Sequence, residues 1–182
     1  MNILNLPHEI VISEDRIRER VIELGVQITL DYKNRDLIVI GILKGSLLFF
    51  SDLIRNIQLP IFTDFLSVSS YNGRMQSSGD VKIINDISIP VKEKDILIIE
   101  DIIDTGATSK FLMEHLKKQN PSSVKICSLL DKKNSRIPGN EIKIDYTGFE
   151  VPDKFLVGYG LDYKEKYRNL PCIAAITKEV EE

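Results

Sequence analysis

The chain has 182 residues, of which 43% are hydrophobic and 28% charged, and these values predict a single globular domain over 1–182. A formal net charge of -3 gives no global basic character that would favour nucleic-acid binding, and no apolar run approaches the roughly 20 residues that span a bilayer. Residues 1–7 lack the basic region and long apolar core of a signal peptide, and Cys127 and Cys172, far apart in apolar segments, favour buried free thiols. We therefore expect a cytoplasmic protein without a membrane or nucleic-acid partner.

The hydrophobic pattern at the start of the chain predicts a helix, a strand and a second helix. Ser13 can cap the first helix, in which apolar residues recur at helical spacing, namely Ile17, Val21, Leu24 and Ile28. The segment 37–42 is apolar throughout, as expected of a strand that is covered on both faces. The segment 47–57 then predicts a helix.

Two further predicted strands, 61–70 and 80–86, flank a long polar loop. The loop 71–79 contains glycine and is too long for a tight hairpin turn. Loops of this length are often mobile and carry functional residues. We therefore expect 71–79 to belong to a functional site.

The rest of the chain alternates between strands and a helix. Strands are predicted over 96–100, 124–130, 155–157 and 173–176, and a helix over 106–119. Buried strands that alternate with helices predict an α/β fold with a mostly parallel sheet flanked by helices. In such sheets ligands bind beyond the carboxyl ends of the strands.

The richest segment follows the predicted strand 96–100. It presents three carboxylates and then small and hydroxylated residues at the start of a predicted helix, namely Glu100, Asp101, Asp104, Thr105, Gly106, Ala107 and Thr108. Carboxylates suit ribose hydroxyls and hydrated Mg²⁺. Free backbone N–H groups at a helix N-terminus suit a phosphate. The segment therefore predicts ligands for a sugar, a metal ion and a phosphate together.

This combination resembles the binding signature of the type I phosphoribosyltransferases, which use phosphoribosyl pyrophosphate. Four further segments narrow the resemblance to the bacterial hypoxanthine(-guanine) phosphoribosyltransferases. They contain Lys44 with Gly45, Ser70 with Tyr71, Lys132, and the run 151–163 with Arg168 beyond it. The resemblance extends over about 10–176 and implies a mostly parallel sheet with a small hood and a flexible β-loop.

The resemblance implies transfer of the 5-phosphoribosyl group from phosphoribosyl pyrophosphate to N9 of hypoxanthine or guanine, by a homodimer or homotetramer that uses Mg²⁺. Glu100 and Asp101 would hold the ribose hydroxyls, directly or through Mg²⁺, and Asp162 would be a further carboxylate on the metal side. Asp104 would be the general base near N7 of the purine. The 5′-phosphate would lie on Thr105, Gly106, Ala107 and Thr108.

Other roles implied by the resemblance concern the leaving group, the base and a lid. The pyrophosphate would be met by Lys44, Gly45 and Arg168. Phe155 would stack on the purine, Lys132 would donate to its O6, and backbone groups at Leu156 would read its pyrimidine edge. The loop that begins at Ser70 and Tyr71 would close over the reacting centre.

Each of these side chains also has a purely structural interpretation. Asp104 could be a helix N-cap, and Phe155 could be part of the core. Lys44 and Lys132 could be ordinary surface lysines. Arg168 could form a surface ion pair, which contributes little to stability.

Three other functions stay open on the sequence alone. Adenine, orotate or uracil enzymes share the fold but differ in the hood, and the adenine enzymes also lack a lysine in the O6 role. An RNA-binding regulator of the same fold would require a basic surface, against which the net charge of -3 argues weakly. A dinucleotide-binding protein would carry a GxGxxG pattern after its first strand, and that pattern is missing here.

Overall fold

A computed structural model describes residues 8–70 and 81–176 of the chain. The predicted loop 71–79, including Tyr71, lies outside the described residues. In the described part, no helix is long and apolar enough to cross a membrane. Both cysteines are free thiols, Cys127 buried and Cys172 partly buried.

Within residues 8–70 and 81–176, six strands form the central sheet. They are β2 (Leu37–Leu43), β3 (Phe62–Ser70), β4 (Val81–Asn85), β5 (Asp95–Ile103), β6 (Ser123–Asp131) and β7 (Tyr146–Glu150), in the order β4-β3-β2-β5-β6-β7. Only the β3–β4 pairing is antiparallel, and the other four pairings are parallel. The mostly parallel sheet predicted from the sequence is confirmed.

In the part of the chain that the structure describes, three α-helices cover the two faces of this sheet, namely α1 (Glu14–Asp31), α2 (Leu47–Ile54) and α3 (Ala107–Lys117). Helices α1 and α2 pack on one face against residues such as Leu97 and Ile99. Helix α3 packs on the other face against Ile96 and Ile98. Successive strand residues point to opposite faces, so a strand buried on both faces must be apolar throughout.

A second, antiparallel sheet forms the small hood. Its strands are β1 (His8–Ile12), β8 (Leu156–Val157) and β9 (Ile173–Ile176), in the order β1-β9-β8. The two ends of the described chain meet here, since His8 of β1 pairs with Ile176 of β9. The hood holds the segment 158–168 near the central sheet, because Gly160 lies against the carbonyl oxygen of Gly45.

The structure corrects several predicted boundaries. Strand β5 does not end at residue 100 but pairs with β6 as far as Ile103, opposite Asp131. Glu100 therefore lies inside the strand rather than at its last position, and Asp101 lies inside it rather than beyond its end. Helix α2 ends at Ile54, not 57, and the strands β1 and β7 were not predicted at all.

Candidate active site

A cleft of about 270 Å³ lies at the carboxyl ends of β2 and β5. Six of the residues predicted from the sequence line it, namely Lys44, Gly45, Glu100, Asp101, Thr108 and Arg168. They come from four separate parts of the chain, which the parallel pairing of β2 with β5 and the position of the hood bring together. A larger groove of about 640 Å³ lies between α1, α2 and the hood and contains none of the predicted site residues.

Gly45 is a close-packing position in this cleft. A Cβ atom at Gly45 would lie only 1.7 Å from Oδ2 of Asp101, so only glycine allows the loop after β2 to meet this carboxylate. Gly160 of the hood has φ of +105°, and a Cβ atom there would lie 1.9 Å from the carbonyl oxygen of Gly45. The turn at Gly160, the loop after β2 and the end of β5 are thus packed directly against one another.

The two carboxylates of β5 are held in surroundings that disfavour their charge. Burial, and after it the negative charge of the neighbouring Asp101, raises the pKa of Glu100 well above its usual range. A hydrogen bond with the Ser109 side chain opposes this shift only in part. Burial also raises the pKa of Asp101 to about 6, although the Arg168 guanidinium opposes this shift. Paired carboxylates with raised pKa values are more typical of a binding or catalytic site than of a core.

The two cations of the cleft are each paired with carboxylates. Nζ of Lys44 lies 3.0 Å from Oε2 of Glu165, and Nη2 of Arg168 lies 2.7 Å from Oδ1 of Asp162. Arg168 also lies 3.5 Å from Glu165 and donates to the carbonyl oxygen of Gly160 at 2.8 Å. Glu165 was not predicted as a site residue. The signal that could have indicated it is the prediction of two cations, Lys44 and Arg168, at one site, since a nearby carboxylate of the chain would then be expected to pair with them.

The turn after β5 leads into α3 as predicted. Gly106 is the N-cap residue, with φ of +84°, and α3 begins at Ala107. The side-chain oxygen of Thr105 accepts a hydrogen bond from the Ala107 amide at 3.4 Å. The interpretation of Asp104 as a helix N-cap is therefore wrong. The N-cap residue Gly106 has no side chain that could accept from the first turn of α3, so the amides that follow Ala107 remain available to an anion.

A second cluster lies just beyond the ends of β5 and β6. Nζ of Lys132 lies 3.4 Å from Oδ2 of Asp104 and 3.6 Å from Oδ1 of Asp153. The Lys132 side chain is only 10% exposed, whereas that of the neighbouring Lys133 is 61% exposed. The interpretation of Lys132 as an ordinary surface lysine is therefore wrong. Asp153 had no predicted role, although it belongs to the motif 151–163.

Phe155 borders the hood strand β8 and presents its ring to solvent. Its side chain belongs to the exposed hydrophobic residues, at 55% exposure, and its ring meets that of Tyr163 edge-on at 5.7 Å between centroids. The alternative of a core phenylalanine is thus wrong. Leu156 is buried at the start of β8, and Ser70 is the last residue of β3. Tyr71 follows outside the described residues.

Comparison with known proteins agrees with this geometry. Residues 13–164 match the family model of the phosphoribosyl transferase domain, so the chain belongs to the phosphoribosyltransferase class of proteins. It is 49% identical over 172 residues to the hypoxanthine-guanine phosphoribosyltransferase of Lactococcus lactis, covering 94% of this chain and 92% of the relative. It is 48% identical over 174 residues to that of Bacillus subtilis, covering 96% of each chain.

Solved structures give the same result. A crystal structure of a hypoxanthine phosphoribosyltransferase from Staphylococcus aureus matches with a TM-score of 0.89 at 46% identity, over 94% of this chain and 92% of that one. A hypoxanthine phosphoribosyltransferase from Trypanosoma cruzi matches with a TM-score of 0.87 at 33% identity, over 95% and 93%. The chain belongs to the hypoxanthine-guanine phosphoribosyltransferase family, as the resemblance of its motifs implied.

Proposed function

We propose that the chain transfers the 5-phosphoribosyl group from phosphoribosyl pyrophosphate to N9 of hypoxanthine or guanine, giving IMP or GMP and pyrophosphate. The observation that carries this proposal is the pair of Lys132 and Asp104 next to the hood. A 6-oxopurine presents an acceptor, O6, and a protonated N7 on the same edge. An ammonium that donates and a carboxylate that accepts match this edge, whereas an exocyclic 6-amino group has no acceptor for Lys132.

In the proposed reaction, Asp104 accepts the proton from N7 of the base. The electrons of the purine then make N9 the nucleophile, which forms a bond to C1′ of the ribose while the bond from C1′ to the pyrophosphate oxygen breaks. General-base assistance of this kind typically contributes ~10²–10⁴-fold to the rate. The exposed ring of Phe155 offers a face on which the purine can stack.

Phosphoribosyl pyrophosphate fits the cleft between β2 and β5. The amides at the start of α3 and the hydroxyls of Thr105 and Thr108 suit the 5′-phosphate. Lys44 and Arg168 suit the pyrophosphate. To bind both cations, the pyrophosphate would have to replace Glu165, with which they are paired in this structure. Glu100 and Asp101, which line the same cleft, suit the ribose hydroxyls.

The family is generally Mg²⁺-dependent, and the donor set of this chain fits the ion. Glu100, Asp101 and Asp162 supply hard oxygen ligands, and Asp162 lies near enough to Asp101 to raise its pKa. Among the described residues, no group of three or more side chains could hold a metal ion alone, so substrate and water would supply most of the ligands. When bound, Mg²⁺ would neutralise the charge of the departing pyrophosphate.

We also propose roles for the parts of the chain around the site. The loop that starts at Ser70 and Tyr71 would close over the reacting centre and exclude water. The protein would be a cytoplasmic homodimer or homotetramer. Exposed apolar side chains on α1 and α2 support self-association, namely Ile22, Val26, Leu30, Leu47 and Leu48. Light scattering of the purified protein measures the oligomeric state.

The experiment that tests the proposed function is a base screen. Each nucleobase is incubated with the protein, phosphoribosyl pyrophosphate and Mg²⁺, and the release of pyrophosphate is measured. We expect turnover with hypoxanthine and guanine and little with adenine, orotate or uracil. A preference for adenine or a pyrimidine would contradict the 6-oxopurine assignment. Absence of pyrophosphate release with every base would contradict the proposed enzyme activity itself.

A further inference from the structure

The proposed general base and the proposed recognition lysine lie just beyond the last paired residues of two strands. The ladder between β5 and β6 ends at Ile103 opposite Asp131, and the Lys132 amide donates to the Ile103 carbonyl oxygen at 3.0 Å. Asp104 is the next residue after the ladder on β5. Its backbone is therefore not fixed by strand pairing, although its side chain must stay close to that of Lys132.

Arg136 supplies hydrogen bonds where the ladder ends. Its Nη1 donates to the carbonyl oxygen of Ile103 at 2.7 Å, to that of Asp104, and to that of Lys132 at 3.5 Å. Its Nη2 donates to the carboxylate of Asp131. One guanidinium therefore connects the last residues of both strands with the two residues that follow them.

The burial of this group makes its contacts strong and its loss costly. The side chains of Arg136 and Asp131 are only 16% and 5% exposed, so water screens their interaction little. A guanidinium is a planar group with five N–H donors in a fixed arrangement, which suits several fixed acceptors at once. A lysine ammonium at this position would keep the charge but not this geometry.

The chain next to Arg136 also contacts the turn 104–106, which leads from β5 into α3. The Ile137 amide donates to the carbonyl oxygen of Thr105 at 3.3 Å, and a Cβ atom at Gly106 would lie 2.4 Å from the carbonyl oxygen of Asn140. The segment 136–140 thus lies directly against the residues 104–106. Arg136 is the buried charged residue that attaches the segment 136–140 to the ends of β5 and β6.

We propose that Arg136 is a positioning residue for catalysis: it fixes the backbone of Asp104 relative to that of Lys132, so that both side chains meet the same edge of the purine. This inference rests on the proposed function of that pair. A misplacement of about 1 Å in a catalytic group can cost about 100-fold in rate. We expect Arg136→Lys to lower kcat with hypoxanthine by about this factor while the affinity for phosphoribosyl pyrophosphate changes much less.

Three variants separate positioning from plain stability. Arg136→Lys keeps the charge next to the buried Asp131, so it is the variant expected to fold. Arg136→Ala removes the guanidinium group and leaves a cavity, in which a guanidinium ion added to the buffer can bind and restore the hydrogen bonds. Lys133→Ala is the matched control, since Lys133 lies in the same turn but forms an exposed ion pair with Glu150. For each variant we measure kcat and KM for hypoxanthine, binding of phosphoribosyl pyrophosphate, and Tm, with all assays well below the lowest Tm.

We expect a large loss of kcat in Arg136→Lys and near-normal kcat in the control Lys133→Ala. We expect Arg136→Ala to recover part of its kcat when guanidinium chloride is added at a non-denaturing concentration. A lowered Tm with wild-type kcat in Arg136→Lys would overturn the inference, because it would leave only a structural role. The wild-type protein is assayed in parallel. If it turns over hypoxanthine and Arg136→Lys does so equally well, the inference fails but the proposed function stands; if the wild type itself is inactive, the proposed function fails.

Discussion

Nζ of Lys132 lies 3.4 Å from Oδ2 of Asp104, although 28 positions separate the two residues in the chain. Lys132 follows β6 and Asp104 follows β5, and these two strands pair in parallel. The fold itself therefore brings a cation and a carboxylate together at the carboxyl ends of the strands. In the proposed reaction a purine replaces this mutual contact, with O6 accepting from Lys132 and N7–H donating to Asp104. The two side chains therefore have separate and testable roles.

The first prediction concerns Asp104. Asp104→Asn keeps the size of the side chain but removes the proton acceptor. We expect kcat to fall by ~10²–10⁴-fold, the usual contribution of a general base. Phosphoribosyl pyrophosphate should bind as before when measured by calorimetry. The control is Asp153→Asn, because Asp153 is the other carboxylate near Lys132 but is 70% exposed. Equal losses in the two variants would rule out a specific base role for Asp104.

The second prediction concerns Asp101 and pH. Burial raises the pKa of this carboxyl from 3.8 to about 6, so the folded protein binds the proton more tightly than the unfolded chain does. The protonated Asp101 carboxyl contributes its full stabilisation below pH 3.8, the pKa of the carboxyl in the unfolded chain, and this stabilisation is lost as the pH rises through about 6. Asp101→Asn avoids this loss and should raise Tm at pH values above this window, by roughly 2–4 °C for each kcal/mol gained.

The same substitution should impair function. Above pH about 6, binding of phosphoribosyl pyrophosphate with Mg²⁺ should be weaker in Asp101→Asn than in the wild type. As the pH falls through about 6, wild-type binding should weaken toward that of the variant. Thermal denaturation and calorimetric titration across this pH range measure the two effects. A variant that is less stable at high pH, or one that binds the substrate normally, would disagree with the assignment of Asp101.

The third prediction concerns Gly45. A Cβ atom there would lie 1.7 Å from Asp101, so Gly45→Ala must displace the carboxylate or the loop after β2. We expect kcat/KM for phosphoribosyl pyrophosphate to fall by about 100-fold, the effect of moving a site group by about 1 Å. Gly139→Ala is the control, since Gly139 has φ of +87° but open space around it. That variant should lose about 1–2 kcal/mol of stability and keep its activity. Normal kinetics in Gly45→Ala would show that the contact has no functional importance.

The fourth prediction concerns Glu165, which is paired with Lys44 and lies near Arg168. If both cations bind pyrophosphate, Glu165 competes with the substrate for them. Glu165→Gln should therefore lower KM for phosphoribosyl pyrophosphate. The change should stay below about fivefold, because ion pairs between exposed side chains contribute little. The control Glu150→Gln removes a comparable exposed pair, with Lys133, and should leave KM unchanged. A raised KM in Glu165→Gln would mean that Glu165 helps to hold the substrate instead.

Much of the fold could be predicted because burial on both faces makes a central strand visible in the sequence. The strand β2 is apolar along its whole length, and its predicted and observed bounds differ by one residue. Two of the edge strands, β1 and β7, were missed because they lack this pattern. Strand β1 is partly exposed, and β7 contains Gly148, which allows close approach to the backbone of Leu129. Their pairing partners, not their own residues, define them as strands.

The candidate site was predictable to the extent that its residues lie in contiguous motifs. The carboxylates Glu100, Asp101 and Asp104 and the small residues 105–108 stand out in the sequence itself, whereas only the resemblance of its segment to the family selects Lys132 among the neighbouring lysines. Glu165 and Arg136 could not be predicted, because their partners are distant in sequence or are backbone atoms. Arg136 contacts three carbonyl oxygens, and no sequence pattern indicates such contacts. The extension of β5 past Glu100 was likewise invisible, since charged residues usually end a buried strand.

The most direct test of the 6-oxopurine assignment is to compare Lys132→Ala with Lys133→Ala. The two lysines are neighbours, but their side chains are 10% and 61% exposed. A hydrogen bond from a charged donor contributes roughly 1.5–3 kcal/mol, so Lys132→Ala should lower kcat/KM for hypoxanthine and guanine by about ten- to a hundred-fold. Adenine should remain a poor substrate of both variants, and Lys133→Ala should match the wild type. Equal behaviour of the two variants, or a wild type that prefers adenine, would contradict the account.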